Sequence, residues 1–546
     1  MTSPLATLER IKADYGPGLS QKKLALLRVL GHATLATFGQ VARLHEAVLF
    51  LRAYPDDVRV MDAAERVLRG FGRRADVARH AEALGSSGIA GTPTDYAFFH
   101  PTVQWLAACW PDALTLDRAD GAVAERISAL LPRLAGALPA AWLTACSPDG
   151  FEALDRLRGH TTDAAWLLQS FKRLSGDSFT HEALHDAAEI RYRLSASRGT
   201  PNRSTARAAR MPIAFRAGPI DRARPDLAKA VAQPPKQVRR AGPAEGEALI
   251  ALARGAMVAR ARDLDAFAYG NRDDVIVVDD GDGLTFTFNG MRPERRTLFA
   301  AIYGYLIMSN GVPIGYGQFD LLGPSAAVSF NLFPTFRGVN AAHTFARLLA
   351  ATRAIFGATT FTFEPYQLGD GNDEAIDSGA WWFYYKLGFR PAHGSDRNAA
   401  AVSRVMRAEH TRMQRDPRHR SSRRTLEALA RSHVIWHAEL ARAVGLPRLA
   451  ALGAAAVDAL AKLDGDAALA AMRRIGLRSL DGWRVTEREA LARWSPIVLA
   501  LPSLGRWSAS DRRALVAVIR AKGARHETDF LVAVARHKPL VAVLFG

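Results

Sequence analysis

Cysteine is nearly absent: Cys109 and Cys146 are the only two among 546 residues. Two thiols cannot build a disulfide framework or a four-thiolate metal site, so the chain reads as a cytoplasmic protein of a reducing compartment with two buried thiols. Long apolar runs are missing too. The greasiest stretch, ALLPRLAGALPAAWLTAC, holds two prolines and an arginine and falls short of the about 20 apolar residues that span a bilayer. The opening MTSPLATLERIKADYG shows no basic segment followed by an apolar one. Neither a signal peptide nor a membrane partner is therefore expected. Acidic residues are outnumbered, 54 against 72 Lys and Arg, for a formal net charge of +18. That surplus is scattered and seldom interleaved with aromatics, so it reads as incidental surface charge, and nucleic acid is the less favoured partner.

What is present is ordinary globular material, 49% hydrophobic and 23% charged. It is too long for one core, so several domains are expected. Residues 1–198 read as a helical domain. FGQVARLHEAVLFLRAY sets Val41, Leu44, Val48 and Leu51 on one stripe at helical spacing. Residues 199–245, rich in Pro, Gly and Arg, read as a connecting segment. Strand patterns follow in 246–397. VIVVDD and LTFTFNG flank one turn, and IYGYLIM and PIGYGQFDLL flank Asn310-Gly311, a strong hairpin signal. AAVSFNLF then leads through FRGVNAA into an amphipathic helix carrying Phe345, Leu349 and Phe356, and TTFTF supplies a further strand. Residues 398–546 return to helical patterns and read as an all-α domain; Ser508 with Asp511 marks one helix start, and Thr486 with Glu489 another.

A strand, a glycine-containing turn and a helix start together can hold a phosphate, although such a glycine by itself is more often a plain turn residue. The first amides of a helix lack partners and carry partial positive charge. Gly338 allows close backbone approach, and Arg337 adds a charged donor. Downstream, SGAWWFYYKLGFRP ends in Lys386-Leu387-Gly388-Phe389-Arg390, with Gly388 placed to close a helix.

These two segments resemble the GNAT superfamily of acyl-CoA N-acyltransferases. Arg337-Gly338-Val339-Asn340-Ala341-Ala342 matches its pyrophosphate motif, with Asn340 at the central glycine position, and the second segment matches its last signature. The resemblance implies a multidomain chain whose central α+β GNAT-like fold, a mixed and largely antiparallel sheet with helices, is flanked by all-α domains. No final strand is evident after Pro391. It further implies acetyl-CoA or another acyl-CoA as co-substrate, with the backbone of Arg337, Gly338, Val339, Asn340, Ala341 and Ala342 holding its diphosphate. Tyr384 would be the general acid for the departing thiolate, the alternative being a packing aromatic beside Trp381, Trp382, Phe383 and Tyr385. Glu364, at the end of TTFTF, is the candidate base. Asp370, Asp373, Glu374 and Asp377 follow it as an acidic cluster that could attract an amine; Asp373 and Glu374 read first as helix-start residues that complement the dipole. The acceptor would be a small-molecule or peptide amine, and a homo-oligomer is compatible with the helical flanks. The alternative is a catalytically inactive GNAT-like scaffold that binds CoA or a protein partner.

His181-Glu182-Ala183-Leu184-His185 fits the H-E-x-x-H pattern of zinc peptidases, with Glu189 one turn on. It follows a helix-start sequence immediately, so structural helix residues are the preferred reading and no metal is expected. The basic connectors Arg203–Arg210 and Arg412–Arg424 read first as solvated linkers, the alternative being contact with nucleic-acid phosphates, which would be strongly salt-dependent.

Overall fold

A computed structural model describes residues 3–393 and 396–546; Gly394 and Ser395, in the passage expected to lead from Pro391 into a helix, lie outside the described residues. Three short strands, β1 (Thr94–Tyr96), β2 (Leu114–Leu116) and β3 (Tyr192–Leu194), form a small antiparallel sheet in the order β1-β3-β2. Nine more follow: β4 (Gln237–Arg240), β5 (Gly270–Gly281), β6 (Leu284–Met291), β7 (Ala301–Ser309), β8 (Val312–Leu322), β9 (Ser325–Leu332), β10 (Thr360–Phe363), β11 (Arg390–Pro391) and β12 (Val434–His437). They make one sheet in the order β11-β12-β10-β9-β8-β7-β6-β5-β4.

Local chemistry explains the hairpins. Asn310 and Gly311 join β7 to β8 with φ of 52° and 76°, the left-handed pair that a tight hairpin turn requires. Strands β4 to β9 pair antiparallel, and β9 with β10 is the parallel pair. A parallel connection needs a crossover, supplied here by the helix Ala341–Phe356. Its Phe345 packs on Phe330 of β9 and Phe363 of β10, with centroids 5.1 and 5.8 Å away. The anticipated stripe Val41, Leu44, Val48 and Leu51 is fully buried in the helix Phe38–Ala53.

Two expectations about the flanks need correction. The amino-terminal flank is not all-α, because β1, β2 and β3 lie within it and sit in a core of their own with Val103, Ile127 and Leu167. The carboxy-terminal flank is not all-α either. Its β12 pairs antiparallel with both β10 and β11 and so supplies the final strand that was not evident after Pro391. Two helices, Ala399–Arg415 and Arg423–Ala430, separate β11 from β12. The connecting segment likewise contributes β4 to the sheet edge. A single core runs from Leu5 through the sheet to Leu544, so both flanks are packed onto it.

Two smaller corrections concern local chemistry. The thiols of Cys109 and Cys146 are exposed, each at the last position of a helix. The helix expected to start at Thr486 is capped by Arg484 with Glu487 instead, and the Thr486 hydroxyl donates to the Gly523 carbonyl. Ser508 and Asp511 do form a capping box.

Candidate functional site

The turn between β9 and the helix Ala341–Phe356 has Gly338 at φ +83°, and a Cβ built there would meet nothing within 4 Å. The glycine is thus demanded by backbone conformation, and the space above it is open. The amide of Thr344 bonds the Asn340 carbonyl, whereas the amides of Gly338 to His343 find no acceptor among the described residues. Asn340 makes no side-chain cap, and its hydroxyl-bonded partner is Thr344, 3.3 Å from Oδ1. Its side chain is therefore turned along the helix rather than across the amides. Arg337 donates to the Leu332 carbonyl at 2.9 Å and to Asn331.

Strand β9 pairs with β10 only through Ser325, Ala326 and Ala327. From Val328 to Leu332 its edge on that side is unpaired, so the sheet opens at this point. The opening is a cleft of about 230 Å³ lined by Phe330, Asn331, Arg337, Ala341, Glu374 and Tyr384. A hollow of about 450 Å³ continues past Gly338, lined by Lys12, Phe50, Arg222, Thr335 and Val339. The structure thus brings Tyr384 and the 337–342 turn to one cleft.

Tyr384 belongs to the helix Ala380–Lys386 and is only 4% exposed. Its ring stacks on Phe363 with centroids 3.7 Å apart, while its hydroxyl makes no hydrogen bond to the described residues. Burial pushes the phenol above its ordinary value, so it stays protonated at neutral pH. Beneath it, Tyr305 of β7 donates to the Ser329 carbonyl. That bond passes Gly317, where a Cβ would stand 1.9 Å from the same carbonyl oxygen.

Register places the polar residues on the other face. Tyr316, Gln318 and Asp320 of β8 lie opposite Asn331, Ser329 and Ala327, and Ala327 pairs with Thr362, two residues before Glu364. Glu364 is exposed at the start of the short helix Pro365–Leu368. Asp320 is half-buried and accepts from Gln318 at 2.8 Å. Burial first, then the nearby Glu364 and Asp265 charges, push its carboxyl up to about 6, against the hydrogen bond from Gln318. An acid inside the apolar run PIGYGQFDLL was the available signal for Asp320, and sequence reasoning passed over it. A carboxyl poised near neutrality on the open face is a proton acceptor in waiting.

Glu374 bridges the cleft mouth. It sits in the first turn of the helix Asp373–Ser378, as expected, and accepts from Arg262 at 3.1 Å and from Arg337. Arg262 also donates to the Tyr316 hydroxyl at 2.8 Å. Asp373 and Asp377 face Arg423; Asp370 is exposed with no ion pair among the described residues.

No family model, curated protein or solved structure matches this chain. The site therefore rests on its own geometry.

The His181–His185 motif lies elsewhere, on the helix Ser178–Ala187 against the sheet. His185 is bonded to the Tyr192 hydroxyl at 2.9 Å and to Asp186, and Glu182 pairs with Arg292. Asp186 in turn accepts from Tyr269. These partners make the motif a joint between the small sheet's unit and the central sheet. Among the described residues no group of His, Cys, Asp and Glu could hold a metal ion, and no helix is long and apolar enough to cross a membrane.

Proposed function

We propose that the chain is a GNAT-like N-acyltransferase that moves an acyl group, acetyl being the simplest, from CoA to an amine. The observation that carries this reading is the row of unbonded amides from Gly338 to His343, set at the end of an unpaired strand edge that faces the Tyr384 hydroxyl. Amides at a helix start hold a diphosphate without needing cationic side chains. The edge of β9 from Val328 to Leu332 extends about 14 Å at 3.4 Å per residue step, room for an extended amide-bearing arm to lie along it. Tyr384 supplies a proton to the departing sulfur, and Asp320, with Glu364 beside it, accepts the proton that the amine must lose. Lys12, from the amino-terminal flank, and Arg222, from the connecting segment, add positive charge beyond the turn.

The presence of β12 supports this reading over the inactive scaffold, because the strand that sequence reasoning could not find is in place. Titration calorimetry with acetyl-CoA tests the cradle. Wild-type protein should bind saturably, and Gly338→Val should bind at least about tenfold more weakly, since its side chain fills the space above the amides and the positive φ costs about 1–2 kcal/mol. Equal affinities would overturn the cradle. Release of free thiol in the presence of a panel of amines separates the enzyme from the scaffold.

A further inference from the structure

Residues 396–433, inserted between β11 and β12, hold ten arginines, no lysine and four acids, a surplus of six within a chain of net charge +18. Within it, Arg412–Arg424 reads from sequence first as a solvated linker. The structure arranges it. In the helix Ala399–Arg415, Val402, Ser403 and Glu409 are buried, with Met406 and Met413 packed against the core. The opposite side presents Arg404, Arg407, Thr411 and Arg415 at spacings of three and four, which is one helical stripe. The stripe spans eleven residue steps from Arg404 to Arg415, about 16 Å at 1.5 Å per residue. Arg418, Arg420 and Arg424 continue it beyond the helix, all exposed.

The acids do not neutralise it. Glu409 is buried and already bonded to Arg412, His419 and Ser421, and Glu427 is paired with Arg423. Asp396 accepts from His433. Arg404, Arg407, Arg415, Arg418 and Arg424 have no ion-pair partner among the described residues, and Asp416 is the remaining exposed acid.

We propose that this insertion is a docking surface for the phosphate backbone of duplex nucleic acid. The chemistry selects among polyanions. The guanidinium fork matches phosphate oxygens, and the stripe is arginine throughout. A protein interface centres on a buried apolar or aromatic anchor, and a membrane-binding helix inserts apolar side chains. No large hydrophobic residue between 396 and 433 is among the exposed ones. Without an exposed aromatic stacking platform, contact is to backbone and not to splayed bases, so binding is indifferent to sequence and steep in salt. The surface is joined to the two short helices that border the cleft, through Arg423 with Asp373 and through Trp382, which donates to Ser421 at 3.0 Å. The inference does not depend on acyl transfer.

Fluorescence anisotropy of the full chain with two labelled DNA duplexes of unrelated sequence tests it between about 50 and 200 mM salt. Wild-type protein should bind both duplexes alike. The triple substitution Arg404→Gln, Arg407→Gln, Arg415→Gln should weaken binding about tenfold or more and lower the log–log salt slope by about 2 to 3, near 0.9 per phosphate contact. Its thermal midpoint should stay unchanged, because the three side chains are exposed and unpaired. A second variant, Arg418→Gln with Arg424→Gln, should lower the slope by about 1 to 2. A triple Arg28→Gln, Arg66→Gln, Arg79→Gln, which removes equal charge from the amino-terminal flank, should leave the slope alone. Absence of duplex binding, binding confined to vesicles of anionic phospholipid, or an equal slope change in the flank variant would overturn the proposal.

Discussion

Replacing Tyr384 by Phe removes one oxygen from the cleft and leaves the packing in place, so it separates chemistry from structure. The ring is stacked on Phe363 at 3.7 Å between centroids and edge-on to Phe345 at 5.7 Å. Phenylalanine keeps both contacts. The hydroxyl has no hydrogen bond among the described residues to lose, and it reaches the cleft, where water can serve it. Stability should therefore stay level, read as an unchanged thermal midpoint. The acetyl-CoA Kd should stay within about twofold. The acid role predicts a very different effect on turnover. A positioned general acid contributes about 10²- to 10⁴-fold, or about 3–5 kcal/mol of barrier at 1.36 kcal/mol per decade. Thiol release at saturating amine and acyl-CoA should fall by that factor. Because burial raises the phenol above its usual value, wild-type kcat should show no alkaline decline from this group across neutral pH. A kcat within about threefold of wild type would refute the acid role. That outcome is the one a packing aromatic predicts, since phenylalanine keeps both ring contacts.

Two further outcomes follow from the cleft. Glu374→Gln removes the carboxylate that engages Arg262 and Arg337 at the mouth. Both arginines and the acid are more than a third exposed, and such pairs are worth about 0.2–1 kcal/mol. Acyl-CoA, competing for Arg337, should bind about two- to fivefold tighter by calorimetry, and an unchanged or weaker Kd defeats the competition. Asp320, held at about 6, must be ionised to accept a proton, so turnover should rise with pH through about 6 and Asp320→Asn should flatten that limb. The stability sign is opposite. A carboxyl raised from 3.8 to about 6 on folding favours the native state when protonated, and that contribution is lost as pH climbs through about 6. Asp320→Asn should therefore match wild type near pH 4 and exceed it at pH 7, by up to about 3 kcal/mol at 1.36 per pKa unit. A titration of melting curves with no such divergence removes the raised carboxyl.

The legible parts of this chain are those whose signal is local. Asn310-Gly311 announces its hairpin because two consecutive left-handed residues are needed there. Gly388 closes the helix Ala380–Lys386 with φ +106°, a conformation that glycine alone takes without strain. Gly338 at +83° is read from the same chemistry. What escaped is non-local. β12 is four residues long, lies beyond two helices from its partner β11, and is identifiable only by the partners it finds. The strands β1, β2 and β3 have three residues each, too short for any alternation to register. Asp320 was hidden because an acid in an apolar strand looks like noise until register puts Glu364 beside it. Cys109 and Cys146 sit at helix ends whose outward side composition does not reveal.

The two jaws of the cleft are set by segments far from it in sequence, which gives the flanks a physical role in the proposed site. On one side, the short turn Pro334–Phe336 precedes the amide row. Thr335 there donates to Glu46 of the helix Phe38–Ala53, and Arg203 donates to Glu46 and, at 3.0 Å, to Thr335. Burial pushes the Glu46 carboxyl up, but His45, Arg203 and Thr335 outweigh it and hold it well below the usual range. Arg260 stacks on Phe333 just upstream, 3.4 Å from the ring centroid. On the other side, β12 covers the edge of β10, with Trp436 stacked on Phe361 at 6.0 Å, and so fixes Phe363 under Tyr384. Residues 246–397 alone would leave β10 as an open edge and strip Thr335 of its partners Glu46 and Arg203. An amide row binds a diphosphate well only when it is already ordered, since ordering each residue costs about 1–2 kcal/mol. In the proposed site the flanks supply that order in advance.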